Sequence, residues 1–497
     1  MFTTSKYALC SFKNSATHVN RLPIEILVRI FSCVMAARPH FGRFPYYLSQ
    51  TTFGAVCKHW RRITLSSPLL WDFITSCSHP SMIEIAIQRS QNITLKAYIE
   101  RCEPGFVDLV QPHISSIKYL TCDFTRGVVT ADQPHALVVI SPILERLNLR
   151  RCHITDTGRM LSVSGTPFSR TAVRVMLPGS LNYLSLFFTP LTDHFTHLTT
   201  LTNVSLQGIE APFETILLLL KNNIRLEEIR VADILLEDAN RSGETVSLPH
   251  LRKFSYSGDT TYPFLHRLNT PQRAQFSFKF TDTLKDSATI LQDVLPVSLA
   301  PHRMPPIDFL SFQINHPSAT ISTRNSEGGG ISISWQDERL SNEAVSWDLL
   351  DLQTAREVCL SLSPTAHHGP AHLHDIGALL ERARCFDTLS LSNPGEMYES
   401  SVLSTITPGS TKGLWPSLSK IRIAGPAQGF PLRELVDLVK TRKETDGISD
   451  IRHVDVLILR GGSVPLDELE RLVSVNVKVV DAWMVPGGWE RGGVANC

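Results

Sequence analysis

The chain has 497 residues, 42% of them hydrophobic and 19% charged, and a formal net charge of +1. That length exceeds one ordinary domain, so two domains or one repetitive array are expected, and the composition excludes a disordered chain. A charge so close to zero gives no reason to expect nucleic acid or an acidic membrane as partner.

The ten cysteines are scattered without a Cys-x-x-Cys pair, mostly among apolar neighbours, where free thiols behave as small hydrophobes. The segment Met1–Asn20 is polar and lacks a signal-peptide run, and the longest aliphatic stretch, Ile216–Leu220, is far short of a membrane span. Cys497 has no residues after it and so is not a prenylation box. These features predict a reduced, soluble, intracellular protein of the cytoplasm, the nucleus or both.

After an expected flexible segment, 1–19, residues 22–71 carry the most informative signal. Read as a helix from Pro23, the residues Pro23, Ile24, Ile26, Leu27, Ile30, Phe31 and Val34 fill an arc of about 160°, with Glu25, Arg29 and Ser32 opposite. Pro23 suits the first turn, where its missing N–H costs nothing, and Glu25 sits near the positive end of the helix dipole. A second helix is expected from Phe53 to Ile63, with Phe53, Val56, Cys57, Trp60 and Ile63 on one arc of about 120°. Lys58, His59, Arg61 and Arg62 cover its other side as a solvated face. Helices this short bury too little surface to be robust alone. The width of the first arc calls for two things to pack against, sister helices on one side and an external protein on the other.

Leu22-Pro23, Glu25-Ile26-Leu27, Ile30-Phe31, Val56-Cys57, Trp60-Arg61, Ile63 and Ser67-Pro68-Leu69-Leu70-Trp71 together resemble the F-box. The ending from Trp60 to Trp71 is most similar to F-box proteins of mushroom-type fungi, while the aromatic-rich connection over 36–52 is longer than the family's short polar link. The resemblance implies docking on a Skp-family adaptor, which bridges to a cullin–RING scaffold. It assigns adaptor binding to Leu22, Pro23, Ile26, Leu27, Ile30, Phe31, Val56, Cys57 and Trp60, some facing the adaptor and some the module's own core.

From about residue 80 the chain returns to one pattern: apolar, two residues, apolar, one residue, apolar. It appears as Ile117/Leu120/Cys122, Leu144/Leu147/Leu149, Leu181/Leu184/Leu186, Leu201/Val204/Leu206, Leu226/Ile229/Val231 and Leu251/Phe254/Tyr256. It continues at Ile307/Leu310/Phe312, Phe386/Leu389/Leu391, Leu418/Ile421/Ile423 and Val454/Leu457/Leu459. The alternation is that of a half-buried strand, and helix-like segments at Pro212–Asn222, Ala371–Arg382 and Pro431–Lys440 precede some instances. Units of roughly 20–36 residues cannot bury an apolar face alone and must stack.

The fullest instance, Leu144-x-x-Leu147-x-Leu149-x-x-Cys152-x-Ile154, resembles a leucine-rich repeat, with Cys152 where that family places Cys or Asn; other units lack that residue. The expected fold class is therefore α/β, a short all-α F-box over 20–75 followed by a degenerate leucine-rich-repeat-like solenoid over 76–497. The alternative is one compact α/β domain with several parallel strands, which the uneven spacing between Phe280 and Ile307 favours. Three polar, turn-rich stretches are expected to loop out of the array: Thr155–Thr171, Asn315–Gly330 and Ser392–Lys412.

No phosphate-cradling loop, no Gly-x-Ser-x-Gly elbow and no His-Glu-x-x-His occurs, and Gly328–Gly330 reads as a flexible turn. The cluster His367, His368, His372, His374 and Asp375 offers metal-ligating types, but it precedes a helix-like run in which Asp375 is as easily a cap. Arg225, Arg230 and Arg252 lie in adjacent units, where converging arginines would read phosphate; a solvated surface is the plainer account. The expectation is a non-enzymatic substrate-recognition subunit of an SCF-type ubiquitin ligase, with no cofactor and no metal. The alternative is a leucine-rich-repeat interaction scaffold that acts without ligase activity.

Overall fold

The computed structural model describes residues 17–37, 47–100, 104–124, 136–156, 161–164, 172–237, 245–258, 267–280, 307–315, 318–336, 354–362, 383, 385–392, 417–426, 432–444, 450–459 and 466–480. The chain divides into two compact units, Met1–Asn223 with Ile234–Asp238, and Ile224–Asp233 with Ala239–Cys497. Both are built on multi-stranded sheets with helices between strands, as a mixed α/β chain requires. The boundary expected near residue 75 falls inside the first unit.

The first unit opens with helices α1 (Ile24–Ala37), α2 (Tyr47–Val56) and α3 (Lys58–Ser66) and a 3₁₀ turn at Pro68–Leu70. There follow β1 (Phe73–Thr75), α4 (Pro80–Ser90), β2 (Leu95–Ile99), α5 (Pro104–Val110), β3 (Ile117–Asp123), β4 (Ala136–Val139) and β5 (Arg146–Arg150). Next come β6 (His153–Asp156), β7 (Leu161–Ser164), β8 (Ala172–Val175), β9 (Tyr183–Phe187), α6 (Asp193–Thr196), β10 (Asn203–Gln207) and α7 (Phe213–Asn222). Strands β1, β2, β3, β5, β9 and β10 lie side by side in that order, each parallel to the next.

This pairing gives the recurrent motif its meaning. Leu120, Leu147, Leu184 and Val204 stand level across four strands, and so do Cys122, Leu149, Leu186 and Leu206. All eight are buried, as are the leading residues Ile117, Leu144, Leu181 and Leu201. Each motif residue therefore packs against its counterparts in neighbouring strands, at about 25 cal/mol per Å² of apolar surface removed from water.

The chain leaves these strands by a repeated turn. Arg151, Phe188 and Gly208, each just beyond β5, β9 and β10, have φ of 49°, 45° and 59°. The Arg151 N–H donates to the Phe187 carbonyl at 2.6 Å and the Phe188 N–H to the Gln207 carbonyl at 2.8 Å. Cys152 then points inward, its thiol directed at the Arg150 carbonyl at 3.2 Å, while its N–H donates to Thr189 Oγ1 at 3.1 Å. Thr189 occupies the same place in the next unit and donates its hydroxyl to the Phe187 carbonyl at 3.1 Å. A hydroxyl thus fills one of the units that lacks the Cys or Asn of the sequence pattern.

A second, smaller sheet joins β4 parallel to β8, with β7 antiparallel to both β8 and β6. The stretch Thr155–Thr171 was expected to loop out; its described part instead supplies β7, because Leu161 and Val163 alternate with serines and bury on one face.

In the second unit the strands are β11 (Glu228–Ala232), β12 (Lys253–Gly258), β13 (Gln275–Phe280), β14 (Phe309–Asn315), β15 (Ser318–Arg324) and β16 (Gly330–Gln336). They continue as β17 (Glu357–Leu362), β18 (Thr388–Ser392), β19 (Lys420–Pro426), helix α8 (Leu432–Glu444), β20 (His453–Leu459), helix α9 (Asp467–Glu470) and β21 (Ser474–Val480). Strands β11, β12 and β13 pair parallel, as do β17 through β21.

Between these runs the chain order changes. Strand β13 pairs with β16, β16 with an antiparallel β15, β15 with an antiparallel β14, and β14 with β17. The stretch Asn315–Gly330 therefore does not loop out as expected. Ser318–Arg324 is rich in β-branched residues and forms a central strand. Nor are the three glycines a flexible turn. Asn325 Oδ1 accepts the Gly329 N–H at 2.8 Å, Gly328 takes φ of 84°, and a Cβ on Gly330 would collide with the Thr323 carbonyl oxygen.

The last motif instance sits three residues earlier than expected: Val454 is level with Ile421 and Val456 with Ile423, so the frame is Ile451/Val454/Val456. Continuous apolar residues at the end of β20 hid the alternation. Helix α7 and helix α8 match the expected Pro212–Asn222 and Pro431–Lys440, whereas Ala371–Arg382 lies outside the described residues.

Two outcomes follow from this packing. Replacing Gly330 by Ala should cost about 1–3 kcal/mol through overpacking, read by urea denaturation, while Gly179→Ala, with open space around its Cβ position, should be neutral. Burial pushes the Cys152 thiol up to about 12, so in the folded chain at pH 8.5 mass spectrometry should find Cys152 unalkylated by iodoacetamide while exposed Cys77 is modified.

Candidate protein-docking surface

Helix α1 begins at Ile24 because Pro23 caps the register without needing its N–H, and its carbonyl accepts from both Ile26 and Leu27 at 3.1 Å. The wide apolar arc is split in two. Leu27 and Phe31, at 0% and 1% exposure, turn inward with Val28 and Met35. Ile26, Ile30 and Val34 keep 43%, 40% and 38% of their surface in water and form a stripe one turn apart, which Pro23 and the preceding Leu22 extend as exposed residues. Ile24 is also exposed, in the first turn.

The inward side is fixed by an aromatic cluster. Phe31 stacks on Phe53 with centroids 4.4 Å apart and meets Trp60 at 4.7 Å, and Phe53 meets Trp60 edge-on at 6.4 Å. Trp60 Nε1 donates to Asn20 Oδ1 at 2.6 Å, and Asn20 Nδ2 donates to Thr17 Oγ1 at 2.9 Å, tying the turn before α1 to α3. Trp71 is buried, its Nε1 donates to the Thr64 carbonyl at 2.7 Å, and the Arg89 guanidinium of α4 covers it at 4.7 Å.

One helix was expected from Phe53 to Ile63, but the chain breaks it at Cys57. That residue takes an extended conformation, φ −159° and ψ 168°, and its sulfur accepts the Trp60 N–H at 3.4 Å. Cysteine is not among the usual N-capping types, so the sequence carried no capping signal there. Splitting the helix leaves Val56 exposed at 53% at the end of α2, while Phe53 and Ile63 both face inward.

Of the nine residues assigned to adaptor binding, Leu22, Pro23, Ile26, Ile30 and Val56 are thus exposed. Leu27 and Phe31 have no surface to offer a partner, Cys57 is a cap, and half-buried Trp60 holds the cluster together. Three contributors were not in that set. Val34 completes the outward stripe at the spacing i, i+4, i+8 from Ile26, and buried Met35 completes the inward line at the same spacing from Leu27, both signals the sequence did carry; Asn20 acts through a contact no local pattern announces.

Lys58, Arg61 and Arg62 of α3 stay in water as expected, while His59 is half-buried. Lys58, Arg61, Arg62, Leu65 and Ser66 line a shallow open groove, Arg61 Nε donates to the Gly54 carbonyl at 2.8 Å, and Arg62 meets His59 Nδ1 at 3.4 Å. In the other unit Arg230 pairs with Glu228 at 2.7 Å and Arg252 with Glu227 at 3.7 Å, so each of these two arginines already has a carboxylate beside it.

Among the described residues no group of three or more His, Cys, Asp or Glu could hold a metal, and the His367–Asp375 cluster lies outside them. Among the described residues, Cys33, Cys57, Cys77, Cys122, Cys152, Cys359 and Cys385 form no disulfide. No helix among the described residues is long and apolar enough to cross a membrane. In comparisons with known proteins, no family model matches the chain and no curated protein matches it.

The split of α1 has a measurable signature. Phe31→Ala should lower stability by about 3–5 kcal/mol, whereas Ile30→Ala should stay within about 0.5 kcal/mol, both read from the tryptophan-fluorescence transition in urea.

Proposed function

We propose that the chain is a substrate-recognition subunit of an SCF-type cullin–RING ubiquitin ligase. In this reading α1, α2 and α3 form an F-box that docks on a Skp-family adaptor. The parallel strands behave as a degenerate leucine-rich-repeat solenoid and hold the protein to be ubiquitinated. The observation that carries the reading is the outward stripe of Ile26, Ile30 and Val34, a contiguous apolar surface beside a helix face that is already fully packed.

Such a stripe is costly to leave in water and stable under a partner. Burying one Ile or Leu side chain completely contributes about 1.5–3 kcal/mol, so three or four half-buried residues supply the core of an interface. The level leucine rungs and the repeated left-handed turn support the solenoid reading, because each unit buries its face only against the next. The role needs no catalytic group from this chain. Holding a substrate lysine near a charged conjugating enzyme accelerates transfer by proximity.

The test is co-purification with a recombinant Skp-family adaptor. Ile26→Asp with Ile30→Asp, and separately Leu22→Asp with Pro23→Ala, should reduce adaptor capture by more than about 100-fold, since each buries a carboxylate in the interface. Circular-dichroism melting should stay at the wild-type value because these side chains are exposed. Undiminished capture by both double variants refutes the docking role, and adaptor capture that never recruits cullin leaves a scaffold without ligase activity.

A further inference from the structure

The polar face of the first unit's sheet holds a cluster that the adaptor surface does not use. Opposite the leucine rungs, Tyr119, Arg146 and Tyr183 stand level on β3, β5 and β9. The Arg146 guanidinium lies over both rings, 5.0 Å from one centroid and 5.5 Å from the other. At the end of the same strands, the Arg151 guanidinium lies 5.6 Å from the Phe188 ring, which meets Phe187 edge-on at 4.7 Å.

Two observations set this cluster apart from ordinary surface. Phe188 is 50% exposed and sits at φ of 45°, a left-handed conformation that is strained for an aromatic residue. Its ring occupies the space where a Cβ on Gly208 would be, so the neighbouring turn accommodates the ring only as glycine. The fold thus holds an aromatic ring out in water against a conformational cost.

The second observation is charge. Lys96 and Lys118 on the same sheet are neutralised by Asp72 at 2.6 Å and Glu145 at 3.0 Å. Among the described residues, Arg146 and Arg151 have aromatic partners and no carboxylate. Tyrosine and arginine are, with tryptophan, the residues that most often anchor protein interfaces, and a guanidinium already oriented on a ring donates to a carboxylate in bidentate fashion at little further entropic cost.

We propose that this face binds an extended acidic segment of a partner protein, with carboxylates on Arg146 and Arg151 and an apolar side chain between them against Tyr183, Phe187 and Phe188. The proposal rests on the reading of the strand array as the part that holds the substrate, and it names that substrate's recognised chemistry. The two arginines are separated by roughly 16 Å at the rise of a strand, so the segment carries acidic residues about four to five positions apart. Single-stranded nucleic acid also stacks on aromatic and cationic faces, but a formal net charge of +1 provides little field to gather a polyanion.

The test uses the full chain and a display library of random dodecapeptides. Wild type should enrich peptides with paired Asp or Glu at that spacing, and Arg146→Glu with Arg151→Glu should shift enrichment to Lys and Arg. The best wild-type peptide, synthesised and titrated by fluorescence anisotropy, should weaken at least about tenfold for each single arginine reversal. Phe188→Asn keeps a residue that tolerates the left-handed turn, so it should weaken the peptide comparably with no loss of melting temperature.

Enrichment whose charge does not change in the double variant overturns the proposal, as does displacement of the peptide by oligouridine at equal concentration. Adaptor capture, measured on the same samples, separates the two readings. Capture without charge-selective peptides sinks this surface alone, and charge-selective peptides without capture sink the ligase role alone.

Discussion

Leu27 and Phe31 can pass under α2 and α3 only if the residues immediately before them point elsewhere. Ile26 and Ile30 each precede a buried side chain by one position, about 100° back around the helix axis, and no straight helix can bury both sets against a single neighbour. The aromatic cluster of Phe31, Phe53 and Trp60 decides which set goes in, because its rings meet at 4.4–6.4 Å and the indole is further held by Asn20. Once that choice is made, the outward stripe is fixed in place by the same packing that stabilises the helices. An apolar stripe held out this way cannot collapse onto its own helices.

The strand array obeys a comparable constraint. A strand offers its apolar residues to one face, and a parallel neighbour in register doubles the contact. Leu184 between Leu147 and Val204, and Leu186 between Leu149 and Leu206, show the register that the spacing of the motif demands. The left-handed residues after β5, β9 and β10 serve that register. Each turns the chain within one residue, and the N–H groups of Arg151 and Phe188 return to carbonyls of the next strand, which satisfies two donors where the chain leaves the sheet.

Those elements were legible in the sequence to the degree that one local pattern determined them. The periodicity of α1, α7 and α8 and the strand triplets from Ile117 to Ile423 are short-range signals, and tertiary structure had only to satisfy them. The failures lie where a distant partner decided. Cys57 ends a helix because its sulfur and the Phe53–Trp60 contact fit a break there, although the apolar arc runs through it. Ser318–Arg324 became a central strand because β14 and β16 needed an antiparallel neighbour, and its polar Ser and Thr residues looked like loop. At that strand the outward residues pair across the hairpin, Thr320 with Ser334 at 2.8 Å and Ser322 with Ser332 at 2.9 Å, so polarity there reports a hydrogen-bonded face. In α1 to α3 the sequence named the exposed and buried residues together; only the aromatic packing sorted them.

Ion pairs occur on the sheets of both units, and they decide which surface charges are left for a partner. In the second unit Arg422 bonds Glu357 at 2.6 Å and lies 3.6 Å from Asp455, which also takes Lys420 at 2.8 Å and accepts from Asn476 at 3.4 Å. Burial raises the Asp455 carboxyl, but Lys420, Asn476 and Arg422 together hold it below the usual carboxylate range. Cross-strand pairs of that kind contribute a few tenths to about 1 kcal/mol each and leave little charge for a ligand to engage. Among the described residues, Arg146 and Arg151 in the first unit are spent on no such pair. Their rings orient them without neutralising them, so an incoming carboxylate displaces water from a guanidinium that is already in position, and no existing ion pair has to break first.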